Sequence, residues 1–82
     1  MERKKIDSKV KELIAQFADC EVSIINDNID LENDLGLDSI DRLELVMNIE
    51  KEFNVCVSDD VADNATTVKD FVDMTEKAIL NN

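Results

Sequence analysis

Apolar side chains recur every three or four residues near the start of the chain, with charged residues between them. The recurring positions are Ile6, Val10, Leu13, Ile14 and Phe17. An α-helix turns once in about 3.6 residues, so this spacing gathers them on one side. Residues 2–17 are therefore predicted to form an amphipathic first helix, whose apolar face joins the core.

Residues 19–38 show no sustained period, although large aliphatic side chains are scattered among Asn and Asp. These side chains are Val22, Ile24, Ile25, Ile29, Leu31, Leu35 and Leu37. Connections of this length are uncommon in compact domains unless they have a task. We predict a long loop, held down by its apolar side chains, that delivers Ser39 to one end of a helical bundle.

A second helix is predicted over residues 39–53, with Asp38 as its N-cap and Asp41 in the first turn, where negative charge is favourable. Its apolar residues fall into two arcs. The wide arc is expected to pack on the first and last helices. It contains Leu45, Val46, Ile49 and Phe53.

The narrow arc consists of Ile40, Leu43 and Met47, and Glu44 and Glu50 border it. One interpretation is that the long loop covers these three side chains. The other is that they form an exposed apolar stripe bordered by carboxylates. Such a stripe suits docking to an apolar patch ringed by Lys and Arg on another protein.

Two further helices are predicted in the last third of the chain. A short third helix over residues 60–64 would take Ser58 or Asp59 as its cap. The last helix would follow Thr67, which approximates a capping box with Asp70 three residues later, and end near residue 80. Its core-facing side chains would be Val68, Phe71, Val72, Thr75, Ala78 and Ile79.

Composition supports an all-α fold. The 82 residues include no Pro and one Gly, and period-two runs separated by turn residues are missing, so hairpins are poorly supported. We predict a single domain over residues 1–82. It would be a four-helix bundle of three longer helices and one short helix, with the long loop between the first two helices.

The formal charge of −11, from 20 acidic and 9 basic residues, disfavours binding to nucleic acid or anionic lipid and favours partners with Lys and Arg patches. The basic residues cluster near the start, and residues 27–63 contain only Arg42 and Lys51. No segment has the apolar length of a signal peptide or membrane span, so a cytoplasmic protein is predicted. A monomer is also expected. Cys20 and Cys56 are expected to be buried thiols, and no metal site is predicted.

The run Gly36-Leu37-Asp38-Ser39-Ile40 places a hydroxyl at the predicted start of the second helix. A nucleophilic Ser needs a neighbouring base and an oxyanion site, and the chain contains no His. Ser39 is therefore predicted to be a substrate onto which another enzyme places a group. No catalytic residue is predicted.

A longer pattern surrounds Ser39. It comprises Asp34-Leu35-Gly36, Asp38-Ser39-Ile40-Asp41, Leu43-Glu44-Leu45-Val46-Met47, Glu50, Glu52-Phe53 and Thr66-Thr67-Val68. With this pattern, residues 29–72 resemble an acyl carrier protein of the kind modified with 4′-phosphopantetheine.

The resemblance implies a phosphodiester on the Ser39 oxygen and a flexible arm whose terminal thiol holds acyl groups as thioesters. Asp38 would help the modifying phosphopantetheinyl transferase to bind a metal ion. Enzymes of fatty acid or related acyl-lipid biosynthesis would dock on Ile40, Asp41, Leu43, Glu44, Met47 and Glu50. An acyl chain would be sheltered by Leu45, Val46, Ile49, Phe53, Val68, Phe71 and Val72.

Arg42 departs from the family pattern, which has a small or apolar residue at this position. An unpaired buried charge is costly, so its side chain is expected to extend outward. We hypothesise that it lies near the arm or pairs with an acid of the loop, narrowing the acyl entrance.

Three other functions remain open from the sequence. A peptidyl or D-alanyl carrier would share the modified Ser, although the acidity and the Leu43-Glu44-Leu45-Val46-Met47 match favour fatty acyl cargo. A calcium-binding module is suggested by the alternating acids of residues 30–34, but an EF-hand needs Gly and Glu where Leu35 and Asp41 stand. An acidic helical adaptor would leave Ser39 unmodified.

Overall fold

Four α-helices account for most of residues 2–81, the part of the chain that the computed structural model describes. They are α1 (Arg3–Ala18), α2 (Ser39–Phe53), α3 (Asp59–Asn64) and α4 (Val68–Leu80). Within residues 2–81 there is no β-strand. The all-α bundle of three longer helices and one short helix is thus confirmed.

Helix α1 lies against both α2 and α4, while α3 lies against α4. Its buried face follows the predicted period and contains Ile6, Val10, Ile14 and Ala15. The helix ends because Asp19 turns into the left-handed region at φ 56°, where its amide bonds back to the last turn. The periodicity of the first 18 residues therefore determines the central element of the bundle.

Basic residues of α1 pair with acids from α2, α4 and the long loop. Each such pair on the surface stabilises little by itself, but together they tie α1 to three other parts of the molecule. The predicted basic cluster near the start thus has a structural role. The contacts are Arg3 with Asp73 and Glu76, Lys9 with Glu52, and Lys11 with Asp27.

The loop of residues 19–38 is more regular than its sequence indicates. It contains a 3-10 turn at Val22–Ile24 and is bonded to the start of α4. The Leu31 amide donates to the Thr66 carbonyl over 2.9 Å, and the Val68 amide donates to the Ile29 carbonyl over 3.0 Å. Backbone hydrogen bonds, as well as apolar side chains, therefore hold the loop.

Three loop side chains, Ile25, Leu31 and Leu37, are buried in the common core. Ile29 and Leu35 pack partly against it. Val22 and Ile24, which we expected to help hold the loop down, are exposed. Both belong to the short 3-10 turn, whose residues include no buried side chain.

Helix α4 begins with the predicted capping box. The Asp70 amide donates to the Thr67 hydroxyl over 3.2 Å, and the Thr67 amide donates to an Asp70 carboxylate oxygen over 3.1 Å. The buried face contains most of the predicted residues and also Met74, while Ala78 and Ile79 are half-buried. The hydroxyl of buried Thr75 donates to the Phe71 carbonyl over 2.7 Å, which satisfies its polar group.

The prediction that both cysteines are buried is wrong. Cys20 is half-buried and Cys56 is exposed. The segment after α2 runs without helical structure, and there the buried Val55 and half-buried Val57 alternate with Cys56, which faces outward. No helix of the described residues is long and apolar enough to cross a membrane.

Candidate functional site at the start of α2

Ser39 is the first residue of α2, and its side chain is exposed. Asp38 supplies the N-cap, as predicted, because its carboxylate accepts the Asp41 amide over 2.9 Å. The Asp41 carboxylate in turn accepts the Asp38 amide over 3.2 Å. The two bonds form a capping box, which was not predicted. The exposed Ser39 side chain is therefore not needed as the cap.

The position suits a covalently attached anion. The start of a helix presents backbone amides and a partial positive charge, and phosphate groups are commonly bound there. Helix α2 spans 15 residues, so its dipole is fully developed at Ser39. A phosphodiester on the Ser39 oxygen fits this setting.

The chain reaches Ser39 through a tight turn. Gly36 has φ 71°, a conformation that glycine adopts at little cost, and its amide donates to the Glu32 carbonyl over 3.0 Å. A Cβ added at Gly36 would meet nothing within 4 Å. Glycine is therefore used at position 36 for its backbone conformation, and not to make room for a neighbouring group of the described residues.

The acids of the same turn bind backbone amides. Asp30 accepts the amides of Glu32 and Asn33, and Asp34 accepts the amide of Asp30. In residues 2–81, no group of three or more His, Cys, Asp or Glu residues is arranged to hold a metal ion. These acids shape the turn that leads into the buried Leu37 and then to Ser39.

A cavity of about 60 Å³ opens beside Ser39, between α2 and α3. Its polar lining residues are Ser39 and the charged Arg42 and Asp63. Its apolar lining includes Val46, which also belongs to the core. The full lining is Ser39, Arg42, Leu43, Val46, Ala62 and Asp63. Periodicity could not reveal the contribution of α3, because it shows a helix's faces and not its neighbours.

Arg42 pairs with a loop acid, as one of the two hypotheses for it stated. Its Nη2 lies 3.5 Å from Oε2 of Glu32, and its side chain is 20% exposed. Its Nε is buried and has no hydrogen-bond partner among the described residues. The tip of the side chain thus meets an exposed acid, while most of the side chain is covered and one of its donors remains unsatisfied within residues 2–81.

The narrow apolar arc of α2 is exposed. Ile40 is 66% exposed, and Leu43 and Met47 are each 54% exposed. The interpretation that the long loop covers these side chains is therefore wrong. We call Ile40, Leu43 and Met47 the α2 stripe.

The acids beside the α2 stripe differ in their surroundings. Glu44 is exposed. Glu50 is half-buried, and its carboxylate accepts the Val57 amide over 2.8 Å. Asp41 is also half-buried and takes part in the capping box. Glu44 is thus the most openly presented of the three carboxylates.

The residues predicted to shelter an acyl chain lie together in the core. Six of them are buried, and Phe53 is half-buried and packs against the others. They come from α2 and α4, the two helices whose apolar faces the sequence assigns to the interior. The buried members are Leu45, Val46, Ile49, Val68, Phe71 and Val72.

Comparison with known proteins identifies the family. Residues 8–75 match the family model described as "Phosphopantetheine attachment site". An acyl carrier protein of Porphyromonas gingivalis is 41% identical over 73 residues, which cover 89% of this chain and 94% of the relative.

Two solved structures share the fold over nearly their whole length. The acyl carrier protein from Enterococcus faecalis has a TM-score of 0.79 at 32% identity, covering 95% of this chain and 99% of the other. The acyl carrier protein from Thermotoga maritima has a TM-score of 0.81 at 31% identity, covering 99% and 94%. The chain therefore belongs to the acyl carrier protein family, whose members bear 4′-phosphopantetheine and are carriers rather than catalysts.

Proposed function

We propose that this protein carries acyl intermediates as thioesters on a 4′-phosphopantetheine arm attached to Ser39. It would act as a cytoplasmic monomer that delivers them to enzymes of fatty acid or related acyl-lipid biosynthesis. The observation that carries the proposal is the exposed Ser39 side chain at the start of α2, with Asp38 as the cap. When attached, the arm supplies a terminal thiol that forms thioesters with acyl groups.

Attachment requires an enzyme, because the chain has no His to act as base for the hydroxyl. In the proposed step, a phosphopantetheinyl transferase joins Ser39 Oγ to the phosphorus of coenzyme A next to the pantetheine. The phosphoanhydride bond breaks, 3′,5′-adenosine diphosphate leaves, and a base of the transferase takes the hydroxyl proton. Asp38, adjacent to the hydroxyl, would contribute a carboxylate to the metal ion of that transferase.

The α2 stripe and the acids Asp41, Glu44 and Glu50 would form the docking surface. The exposed apolar area supplies contact, and the carboxylates attract Lys and Arg patches on successive enzymes. Charge attraction of this kind speeds encounters and weakens as salt is added. The carrier would thus bind each partner briefly.

The core of α2 and α4 would shelter the acyl chain. Val46 supports this proposal because it lines the cavity beside Ser39 and also belongs to the core. A slight separation of α2 from α3 would therefore connect the attachment point with the apolar interior.

Intact-mass measurement after incubation with coenzyme A and a broad-specificity phosphopantetheinyl transferase tests the attachment. The protein is expected to gain the mass of one phosphopantetheine group, and Ser39→Ala is expected to gain none. Ser58→Ala is the matched control, because Ser58 is also exposed at a helix start but accepts the Val61 amide as a cap. Failure of the wild type to gain mass, or equal gain by Ser39→Ala, would refute the proposal.

Loading kinetics test the docking surface. Glu44→Gln is expected to raise the KM of the transferase for this protein about threefold, with kcat little changed, because an exposed charge pair stabilises by roughly 0.2–1 kcal/mol. Glu21→Gln removes the same charge from an exposed position outside α2 and serves as the control. Equal effects of the two variants would show that only net charge matters.

A further inference from the structure

The guanidinium of Arg42 has incompletely satisfied hydrogen-bond donors. A charged hydrogen bond between a guanidinium and a carboxylate is typically about 2.7–2.9 Å long, whereas Arg42 Nη2 lies 3.5 Å from Glu32. The chain's other arginine, Arg3, meets its two acids at 2.6 and 2.9 Å. A buried donor without an acceptor is costly, and Arg42 Nε is such a donor among the described residues.

Arg42 is also placed to reach whatever Ser39 carries. The two residues are three apart on α2, so they share one face of the helix with Cβ atoms about 5–6 Å apart. Both line the small cavity between α2 and α3. An acceptor joined to the Ser39 oxygen would lie within reach of the Arg42 side chain.

The charge distribution leaves few cations beside Ser39 in the chain. Residues 27–63 contain only Arg42 and Lys51 as basic residues, and Lys51 is in the last turn of α2. The start of α2 has acids nearby, among them Asp38, Asp41 and Asp63. A phosphodiester adds a further negative charge there, and a guanidinium is well suited to bind phosphate oxygens.

We propose that Arg42 is a positioning residue for the phosphopantetheine arm, exchanging Glu32 for a phosphodiester oxygen when Ser39 is modified. The inference rests on the proposed attachment at Ser39 and deepens it. Nε, which has no hydrogen-bond partner within residues 2–81 of the unmodified form, would donate to the phosphate. The exchange would hold the base of the arm against the gap between α2 and α3 and release Glu32 of the loop.

The two arginines make a direct test possible by NMR. The spectrum of ¹⁵N-labelled protein should contain two arginine Nε–H signals, which Arg3→Lys assigns. On modification, the Arg42 signal is expected to move downfield while the Arg3 signal stays in place. An Arg42 signal at the same position in both forms, with modification established by intact mass, would overturn the inference.

Glu32→Gln distinguishes the exchange of Glu32 for the phosphate from a general change in the surroundings of Arg42. In the unmodified protein this variant is expected to shift the Arg42 Nε–H signal, because Glu32 pairs with Nη2 of the same guanidinium there. In the modified protein the shift should be lost, because Arg42 has left Glu32. An equal shift in both forms would show that Arg42 stays with Glu32, and the inference would be wrong.

The phosphate provides an independent readout. The ³¹P resonance of modified Arg42→Gln is expected to differ from that of the modified wild type, while modified Arg3→Gln should match the wild type. A resonance unchanged by Arg42→Gln would contradict the inference. Failure of Ser39 to gain mass would instead contradict the proposed function, so the two failures are distinguishable. The wild-type NMR comparison requires no variant at Arg42.

Discussion

Among single residues, Gly36 controls how the loop enters the site. Its φ of 71° costs an ordinary L-residue roughly 1–2 kcal/mol, while the space around it is open. Gly36→Ala is therefore expected to lower the free energy of unfolding by about 1 kcal/mol through backbone strain alone. Gly36→Asn should cost less, because Asn tolerates this conformation better.

Urea unfolding of the wild type and the two Gly36 variants measures these differences. If Gly36→Asn destabilises as much as Gly36→Ala, strain in the left-handed region is not the cause. The same measurement on the modified protein would show whether the arm depends on this turn.

At the scale of elements, the cap of α4 contains a carboxylate with several donors. The Thr66 amide, followed by the Thr67 amide and the two hydroxyls, holds the pKa of Asp70 below its ordinary value of 3.8, although burial opposes the shift. A lowered folded-state pKa gives stability that is fully present above the unfolded pKa and is lost as pH falls through the folded pKa. The cap is thus expected to weaken below about pH 4.

Asp70→Asn is therefore expected to cost about 1 kcal/mol at pH 7, the usual value of a helix cap. Its stability should also fall less steeply than that of the wild type between pH 5 and pH 3. Denaturant unfolding across this pH range measures both effects. Asp60→Asn on α3 controls for net charge, and equal acid dependence of Asp70→Asn and the wild type would contradict the assignment.

Elements were predictable where their determinants are local in the chain. The bounds of α2 and the Thr67 cap of α4 follow from spacing and from residues within one turn of each other. The pairing of Glu32 with Arg42 could be named only as a type, a loop acid, because ten residues separate them. The backbone hydrogen bond between the loop and Thr66 could not be predicted at all, because main-chain groups do not depend on residue type.

The same distinction applies to the candidate site. Ser39 and its cap were predictable because they belong to one four-residue motif. The exposure of the α2 stripe was not, because two packings of the loop agree with its sequence. The contribution of α3 to the cavity wall depends on how α2 and α3 approach each other, and the sequence of neither helix shows that approach.

At the scale of the whole molecule, net charge opposes compactness. A charge of −11 is confined within 30 × 25 × 19 Å. The Debye length falls from about 30 Å at 0.01 M salt to about 8 Å at 0.15 M, so added salt screens repulsion across the molecule. Added salt also weakens the attraction within the ion pairs of α1. Because the acidic residues far outnumber the basic ones, the loss of repulsion is expected to be the larger effect.

Thermal unfolding at pH 7 is therefore expected to show a Tm that is higher by about 5 °C in 0.15 M than in 0.01 M sodium chloride, corresponding to about 1 kcal/mol in a chain of this size. The control is the same salt change near pH 4.1, the isoelectric point, where the effect should largely vanish. A Tm that falls with salt at pH 7 would mean that the ion pairs outweigh the repulsion.

The bridge between Asp30 and Thr67 bears on how the protein is made. Helix α2 and its cap can form from neighbouring residues, but the loop before Ser39 forms backbone hydrogen bonds to a segment 35 or more residues further along the chain. During translation, that partner emerges from the ribosome well after the serine does. A nascent chain can thus display the Ser39 hydroxyl before the loop around it is held in place. Under the proposed function, the folded substrate for the modifying enzyme would exist only once the first turn of α4 has been synthesised.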